Sequence, residues 1–206
     1  MFTYSKLFSR YPQLEICRSD LLMALNILFN QLKKSGTLYL CGNGGSSADS
    51  EHFAGELLKN FTLPRSLEKN DCQLLDSVDP SLKENLHYGI KAIPLVSFHS
   101  TLSAFNNDCN PEYNFAQLIW TLCTPQDVLF AISTSGNSKN IVNALKVAKA
   151  KKIPSILLSG RKGGEGKKWA DVTIMAPGSE VFEIQEFHLP IYHAFCLELE
   201  HEFFSR

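Results

Sequence analysis

The sequence predicts an α/β fold with a doubly wound, mostly parallel five-stranded sheet flanked by helices. Short apolar segments alternate along the chain with longer segments of helical periodicity, and they lie at residues 37–40, 92–96, 128–132, 153–158 and 172–176. These segments are apolar almost continuously, which is typical of strands buried on both faces. Alternation of such strands with helices indicates a parallel α/β sheet.

Helices are predicted most clearly at the two ends of the chain and in its second half. Leucines recur at three- and four-residue steps over residues 13–34, which indicates an amphipathic N-terminal helix that Ser35-Gly36 ends. A second helix covers residues 137–150, with its apolar residues on one face. A long C-terminal helix covers residues 180–204 and contains Pro190, where we expect a kink because proline removes a backbone hydrogen bond.

The length of 206 residues predicts one domain, residues 1–206, because domains usually contain roughly 100–200 residues. Within it, residues 1–35 form an N-terminal helical segment. Residues 62–90 are an apparent insertion, since connections in α/β units usually span about 2–6 residues. The insertion carries a short helix from Pro80 to Leu86.

Composition restricts the functional classes. The 20 Lys and Arg residues nearly balance the 21 Asp and Glu residues, whereas nucleic-acid binders usually show a basic surface, so we expect no nucleic-acid partner. No stretch approaches the about 18 apolar residues of a membrane helix, and the first residues lack the apolar core of a signal peptide. We therefore expect a cytoplasmic protein without a membrane partner. The six cysteines lack C-x-x-C spacing and are interpreted mostly as small buried residues in a reducing compartment.

The first of two candidate anion-binding loops has the sequence Cys41-Gly42-Asn43-Gly44-Gly45-Ser46-Ser47 and joins a strand to a helix. A glycine-rich turn lets backbone N–H groups approach a ligand, and the amino terminus of the following helix favours negative charge. The loop lacks the third glycine of the dinucleotide fingerprint, and no G-K-[ST] of a Walker loop follows. Taken alone, the same residues also suit a tight turn with a serine cap.

The second candidate loop, Ser133-Thr134-Ser135-Gly136-Asn137-Ser138, also follows a strand and precedes a helix. Its hydroxyl groups and the free backbone donors of the helix amino terminus can hold a phosphate without a lysine. Taken alone, this loop also suits ordinary N-capping. The two loops together favour a ligand site, because open α/β sheets bind ligands at the carboxyl edge of their strands.

Histidines and carboxylates provide candidate catalytic groups. His52 and Glu56 are four residues apart and project from one helix face, where they suit a divalent metal, an acid–base pair or an ordinary exposed His–Glu pair. On the C-terminal helix, Gln185 and His193 are eight residues apart, about 80° around an ideal helix, and converge only loosely. His188 competes with His193, and spacing alone does not choose between them.

Four segments occur in the order CGNGGSSADSEHFAGELLKNF, AISTSGNSKN, LSGRKGGEG and EIQEFHLPIYH. Together they resemble the sugar isomerase (SIS) domain family and, within it, the phosphoheptose isomerase branch. The resemblance extends from about residue 10 to residue 200, outside the insertion. It implies a SIS-type fold and the interconversion of sedoheptulose 7-phosphate and a D-glycero-D-manno-heptose 7-phosphate through an enediol-like intermediate, for lipopolysaccharide or capsule biosynthesis. It also implies a homotetramer with active sites at the subunit interfaces.

The resemblance further implies roles for single residues. Glu56 and His193 become an acid–base pair, so that His193 is preferred to His188. A divalent metal, usually zinc, is assigned to His52, Glu56, Gln185 and His193. The implied substrate contacts are Asn43, Gly44, Gly45, Ser46, Glu56, Asn107, Asp108, Ser133, Thr134, Ser135, Ser138 and Gln185.

The chain departs from the family pattern at three positions. Asn60 stands where these isomerases commonly have arginine, Phe182 stands where many have an acidic residue, and Pro190 lies between two assigned positions. Two other functions therefore stay open. One is a non-catalytic SIS module that binds sugar phosphates or a replication initiator, and the other is an isomerase for a different phosphosugar. The presence of the complete acid–base and metal set favours catalysis.

Overall fold

The computed structural model describes residues 5–205, so residues 1–4 of the predicted N-terminal segment lie outside it. The helices are α1 (Ser5–Arg10), α2 (Arg18–Leu32), α3 (Gly45–Leu58), α4 (Lys69–Asp76), α5 (Pro80–Asn85), α6 (His99–Asp108), α7 (Asn114–Leu122), α8 (Lys139–Ala150) and α9 (Val181–Phe204). The strands are β1 (Leu38–Gly42), β2 (Ala92–Pro94), β3 (Val128–Ser133), β4 (Ser155–Gly160) and β5 (Val172–Ala176).

The predicted sheet is confirmed: five strands pair in the order β2-β1-β3-β4-β5. All four pairings are parallel, and Leu38 at the start of β1 lies opposite both Ala92 and Val128. Alternate residues of β1, β3 and β4 enter different cores. In β3, Val128 and Phe130 pack with α2, α3 and α9, whereas Leu129 packs with α7 and α8 on the other face. The continuous apolar character of the strands therefore reflects a sheet covered on both sides.

The N-terminal helical pattern divides into two elements. A 3₁₀ helix, Pro12–Cys17, precedes α2, which begins at Arg18 instead of residue 13. Leu14 in the 3₁₀ helix is fully buried, so it continues the apolar pattern of α2 without α-helical geometry. After α2 the chain turns at Ser35, whose φ of 64° is left-handed, as expected at the end of a helix.

The C-terminal helix α9 runs through Pro190 as one continuous helix of 24 residues. The proline lacks an N–H group, but the helical backbone continues on both sides of it. Within residues 5–205, no helix combines the length and apolar character that a membrane span requires. Of the cysteines, Cys17, Cys41, Cys123 and Cys196 are buried and all six are free, in agreement with their interpretation as mostly buried residues.

The apparent insertion contains two short helices instead of the single one expected. The predicted helix at Pro80 is present as α5, and Asp79 caps it by accepting a hydrogen bond from the Ser81 amide at 2.8 Å. Helix α4 precedes it, and the described residues of α4 and α5 include no buried one. The two helices pack on each other. The two ends of the segment are joined, since the Tyr88 amide donates to the Arg65 carbonyl at 2.9 Å.

The strand order creates a switch point between β1 and β3. The chain leaves β1 through α3 on one face of the sheet and leaves β3 through α8 on the opposite face. A crevice opens at the carboxyl ends of two strands whose connections diverge in this way, and ligands of open α/β sheets bind there. Both predicted anion-binding loops lie at this point.

Candidate active site

The first loop turns tightly from β1 into α3. Gly44 has a φ of 55°, and the amide of Ser46 donates to the Asn43 carbonyl at 3.0 Å. A Cβ atom at Gly42 would lie 2.3 Å from the Ser46 carbonyl oxygen, so this position requires glycine. Ser46 is buried beneath the loop, while Asn43 is exposed on it.

Gln185 of α9 lies directly against this loop. A Cβ atom at Gly45 would lie 2.6 Å from Gln185 Nε2, so the glycine leaves the space that the amide occupies. Gln185 and the first loop, both implied as substrate contacts by the resemblance, are therefore neighbours in the structure. Because Gly45 is the first residue of α3, the amide stands at the amino end of that helix.

The segment that follows β4 packs against the second loop and holds it by hydrogen bonds. Gly136 has a φ of 65°, and its carbonyl accepts a hydrogen bond from the Gly166 amide at 2.8 Å. The side-chain oxygen of Asn137 accepts the Glu165 amide at 2.8 Å. Ser133 Oγ and Ser138 Oγ lie 3.4 Å apart, so hydroxyl groups gather at the amino end of α8. This arrangement suits an anion such as phosphate.

A chain of asparagine side chains connects the first loop to α8, α7 and α6. Asn43 and Asn140 exchange two hydrogen bonds of 2.9 Å. Asn140 also donates to Asn114 at 3.4 Å, and Asn114 donates to Asn106 at 3.1 Å. Sequence reasoning did not select Asn140, Asn114 or Asn106, because they lie far from Asn43 in the chain and follow no local spacing.

Asn107 and Asp108, which the resemblance implied as substrate contacts, are the last two residues of α6. Both are exposed, and Asn107 Nδ2 donates to Asp108 Oδ1 at 2.8 Å. They follow Asn106 directly, so the asparagine chain ends beside them. The resemblance placed this pair in a loop after the second strand, whereas the structure places it at the carboxyl end of a helix.

His52 and Glu56 form the predicted pair on α3. His52 Nε2 lies 3.2 Å from Glu56 Oε1, and Lys59 Nζ donates to Glu56 Oε2 at 2.6 Å. The Lys59 hydrogen bond lowers the pKa of Glu56, and the smaller contribution of His52 acts in the same direction. Glu56 is therefore a carboxylate held in its ionised form, with its side chain 16% exposed.

Tyr192 orients the His52 ring. Its hydroxyl donates to Asp49 Oδ1 at 3.3 Å and lies 3.0 Å from His52 Nδ1, so it can accept the Nδ1 proton. In that tautomer, His52 Nε2 carries a lone pair and faces the Glu56 carboxylate. Two electron-rich atoms at this distance suit a cation or a proton between them.

The structure distinguishes His193 from His188. The ring of His193 lies 5.1 Å from that of His52 in an edge-to-face arrangement, and Phe61 packs 5.5 Å away on it. Burial is the main cause that lowers the pKa of His193, and a protonated His52 acts in the same direction. His188 is fully buried, and this burial lowers its pKa to about 4. His193 therefore joins His52 and Glu56, whereas His188 belongs to the core.

The donor set fits a metal in part. His193 Nε2 is buried and has no hydrogen-bond partner among residues 5–205, and His52 Nε2 faces Glu56. Two imidazoles and a carboxylate are ligands that zinc prefers. Within the described residues, however, no three His, Cys, Asp or Glu side chains are arranged to hold a metal ion. Lys59 occupies one oxygen of Glu56, and Gln185 lies at Gly45.

Comparisons with known proteins show the family of the chain. The SIS domain family model matches residues 100–196. A phosphoheptose isomerase from Helicobacter pylori (strain P12) is 34% identical over 190 residues, which cover 92% of this chain and 88% of the relative.

Solved structures show the same likeness. The phosphoheptose isomerase from Neisseria gonorrhoeae matches with a TM-score of 0.75 and 28% identity, covering 95% of this chain and 93% of its own. The enzyme from Francisella tularensis matches with a TM-score of 0.74 and 26% identity, covering 93% of both chains. Likeness in sequence and in fold extends over nearly the whole chain, and the chain therefore belongs to the phosphoheptose isomerase family of SIS-domain proteins.

Proposed function

We propose that this chain isomerises sedoheptulose 7-phosphate to a D-glycero-D-manno-heptose 7-phosphate. The observation that carries the proposal is the grouping of His52, Glu56 and His193 beside two anion-binding loops at the switch point of the sheet. A sensor or a docking module would need the loops alone. The histidine–carboxylate cluster supplies groups for proton transfer, and the family relationship supplies the substrate class.

The phosphate of the substrate is proposed to bind the second loop, with Ser133, Thr134, Ser135 and Ser138 as its contacts. Their hydroxyls and the amino end of α8 supply donors without a basic side chain. The sugar then extends toward the first loop, where Asn43, Gly44, Gly45, Ser46 and Gln185 complete its contacts together with Glu56. Asn107 and Asp108 are proposed to contact the substrate from the carboxyl end of α6.

Glu56 and His193 are proposed to move the protons. Glu56 takes the proton from C1 of the ketose while O2 gains a proton, which gives an enediol-like intermediate. The carbon-bound proton then returns to C2 while O1 loses its proton, so atoms balance and an aldose results. His193 serves the oxygens: the N–H group of its ring gives a proton to O2, and the ring regains a proton from O1. Burial lowers the pKa of His193, which favours the neutral ring that this exchange starts from. Each correctly placed group contributes about 10²–10⁴-fold to the rate.

A divalent metal, usually zinc in this family, is proposed to bind His52, Glu56, Gln185 and His193. These side chains would have to close around it, because among the described residues no three His, Cys, Asp or Glu side chains are grouped for a metal ion. A bound metal would polarise the carbonyl and stabilise negative charge on oxygen. Gln185 and His193 are separated by about 12 Å along the axis of α9, so the Gln185 amide must extend from Gly45 toward His52. Elemental analysis of the purified protein should find about one zinc per chain. Metal-free protein with full activity would contradict this part of the proposal.

We further propose a cytoplasmic homotetramer with active sites at the subunit interfaces, in which the product serves lipopolysaccharide or capsule biosynthesis. Exposed apolar side chains support an association of copies. On α9 these include Phe182 and Leu189, and on α2 they include Leu22 and Met23. Light scattering should find four chains per particle. A fully active monomer would contradict the assembly and its interface sites.

The decisive experiment incubates the protein with sedoheptulose 7-phosphate, with and without a chelator, and measures the aldose product. Glu56→Gln and His193→Ala should abolish turnover and leave the circular dichroism spectrum unchanged. His201→Ala is the matched control, because His201 is an exposed histidine eight residues further along the same helix. Wild-type activity in either site variant would refute the acid–base assignment. Binding of sugar phosphates without any aldose product would favour the non-catalytic module.

A further inference from the structure

We propose that the buried ion pair between Arg65 and Glu200 is a positioning device that fixes Glu56 on α3 relative to His193 on α9. The proposal concerns residues outside the acid–base pair and rests on the proposed function of that pair. Neither side chain has any exposed surface, and Arg65 Nε lies 2.8 Å from Glu200 Oε1. We call Arg65, Glu200 and the segment 61–63 the clamp.

Glu200 binds the chain segment 61–63, at the start of the apparent insertion, to α9. Its carboxylate accepts the backbone amides of Phe61, Thr62 and Leu63 at 2.7–2.9 Å and the Thr62 hydroxyl at 2.7 Å. Three consecutive amides directed at one carboxylate fix the backbone of this turn. Because Glu200 lies on α9, the turn that follows α3 is attached to the helix that carries His193.

Arg65 holds the carboxyl end of α3. Besides Glu200, its guanidinium donates to the carbonyl of Leu57 at 2.5 Å and to the carbonyl of Glu56 itself at 3.2 Å. The last four carbonyl groups of a helix have no partner within the helix, and Arg65 binds two of them. The Leu57 carbonyl also accepts the Ile90 amide at 2.9 Å. Arg65 therefore binds the backbone of Glu56, whose side chain is the proposed base.

The clamp reaches His193 by two routes. Glu200 lies seven residues after His193, which is about two turns of α9 and places both on nearly the same face. Phe61, whose amide Glu200 holds, packs its ring 5.5 Å from the ring of His193. A shift of Glu200 would therefore move the backbone of Glu56 and the ring that covers His193 together.

Stability alone does not account for such a pair. Burying two charges costs several kcal/mol of desolvation, and apolar replacements of buried ion pairs are often neutral or stabilising. An apolar pair would fill the same volume, but it would not hold three amides and two helix carbonyls in fixed directions. The directional bonds explain the pair better than its contribution to the free energy of unfolding.

The test compares Glu200→Gln and Arg65→Lys with a control that disturbs a similar group far from the site. Asp127 is nearly buried at the amino end of β3 and accepts the amides of Thr37 and Thr124 at 2.8 and 2.7 Å. The control variant is Asp127→Asn, and all three variants should lose thermal stability. Only the two clamp variants should lose kcat, by about 10- to 100-fold, with KM nearly unchanged, because a misplacement of about 1 Å costs up to 10²-fold.

A double-mutant cycle separates positioning from general damage. In a Glu56→Asp background, which already displaces the carboxylate, Glu200→Gln should lower kcat much less than it does in the wild-type chain. Independent, multiplying effects of the two substitutions would refute the proposal. If Glu200→Gln does not fold, Arg65→Lys, which keeps the charge, carries the same comparison.

A readout independent of turnover distinguishes this proposal from the proposed function. Among the six histidines, the ring signal of His193 can be assigned in NMR spectra by its absence in His193→Ala. The clamp variants should shift that signal, and Asp127→Asn should not. If the wild type makes no aldose but the signal shifts, the proposed function fails and the clamp stands. Clamp variants that fold but keep the wild-type His193 signal would overturn the clamp proposal. Where the enzyme is active, they would also have to keep the wild-type kcat.

Discussion

Replacing Gly136 with alanine should damage the second loop by adding a single methyl group. The φ of Gly136 is 65°, and a Cβ atom there would lie 2.0 Å from the carbonyl oxygen of Gly163 and 2.4 Å from its carbonyl carbon. The left-handed backbone costs alanine about 1–2 kcal/mol. Because the clash is with backbone that cannot rotate away, overpacking adds about 1–3 kcal/mol. The sum of about 2–5 kcal/mol corresponds to a fall in Tm of roughly 4–20 °C for a chain of this size.

The clash also determines the functional effect of Gly136→Ala. The loop can relieve it only by moving away from Gly163, and this movement separates Ser135 and Ser138 from Ser133. KM for sedoheptulose 7-phosphate should therefore rise at least about tenfold, because the phosphate loses donors worth about 1.4 kcal/mol or more. Steady-state kinetics and differential scanning calorimetry measure the two effects. The matched control is Gly55→Ala, since no atom lies within 4 Å of a Cβ there and alanine favours the helix by about 0.5–1 kcal/mol. A Gly136→Ala variant with the Tm and KM of the wild type would refute this reasoning.

Two further predictions concern Glu200 and Gly45. Burial raises the pKa of Glu200, but hydrogen bonds, chiefly from Thr62 and Phe61, outweigh it and lower the pKa from 4.5 to about 2. The ionised carboxylate therefore stabilises the fold above pH 4.5, and a contribution on the order of 3 kcal/mol is lost as the pH falls toward 2. Urea titrations should show that the free energy of unfolding falls with pH in this range in the wild type and falls less in Glu200→Gln. Gly45→Ala should displace the flexible Gln185 amide. We expect kcat/KM to fall about tenfold while Tm changes by at most about 2 °C. An unchanged kcat/KM would count against Gln185 as a site residue.

Local patterns were sufficient for the sheet and the two loops. The three central strands are recognisable because their residues are buried on both faces, as Val128, Leu129 and Phe130 show. Each loop is recognisable because a strand must turn into a helix within a few residues, which requires glycine at positions such as Gly42 and Gly136. The strand order then brings the loops together by topology alone, without any contact that the sequence must specify separately.

Other parts of the site depend on contacts between distant residues, and local periodicity does not report such contacts. Asn43 meets Asn140 across 97 positions, and Tyr192 meets His52 across 140. Helical spacing also could not choose between His188 and His193, because both lie on α9 and the packing of α3 decides which of them faces His52. The resemblance to the family selects His193, and in the structure the ring of His193 lies 5.1 Å from that of His52.

One departure from the family pattern, at Asn60, has a structural explanation in this chain. Asn60 lacks the charge of an arginine, but Lys59 directly before it places an ammonium 2.6 Å from Glu56. The side chain of Asn60 instead accepts the amide of Arg65 at 3.1 Å, which shapes the turn on which the clamp depends. A cation therefore lies beside the proposed base in this chain. Asn60 and Lys59 therefore have separate roles in the turn after α3: Asn60 fixes the backbone of Arg65, and Lys59 keeps Glu56 ionised.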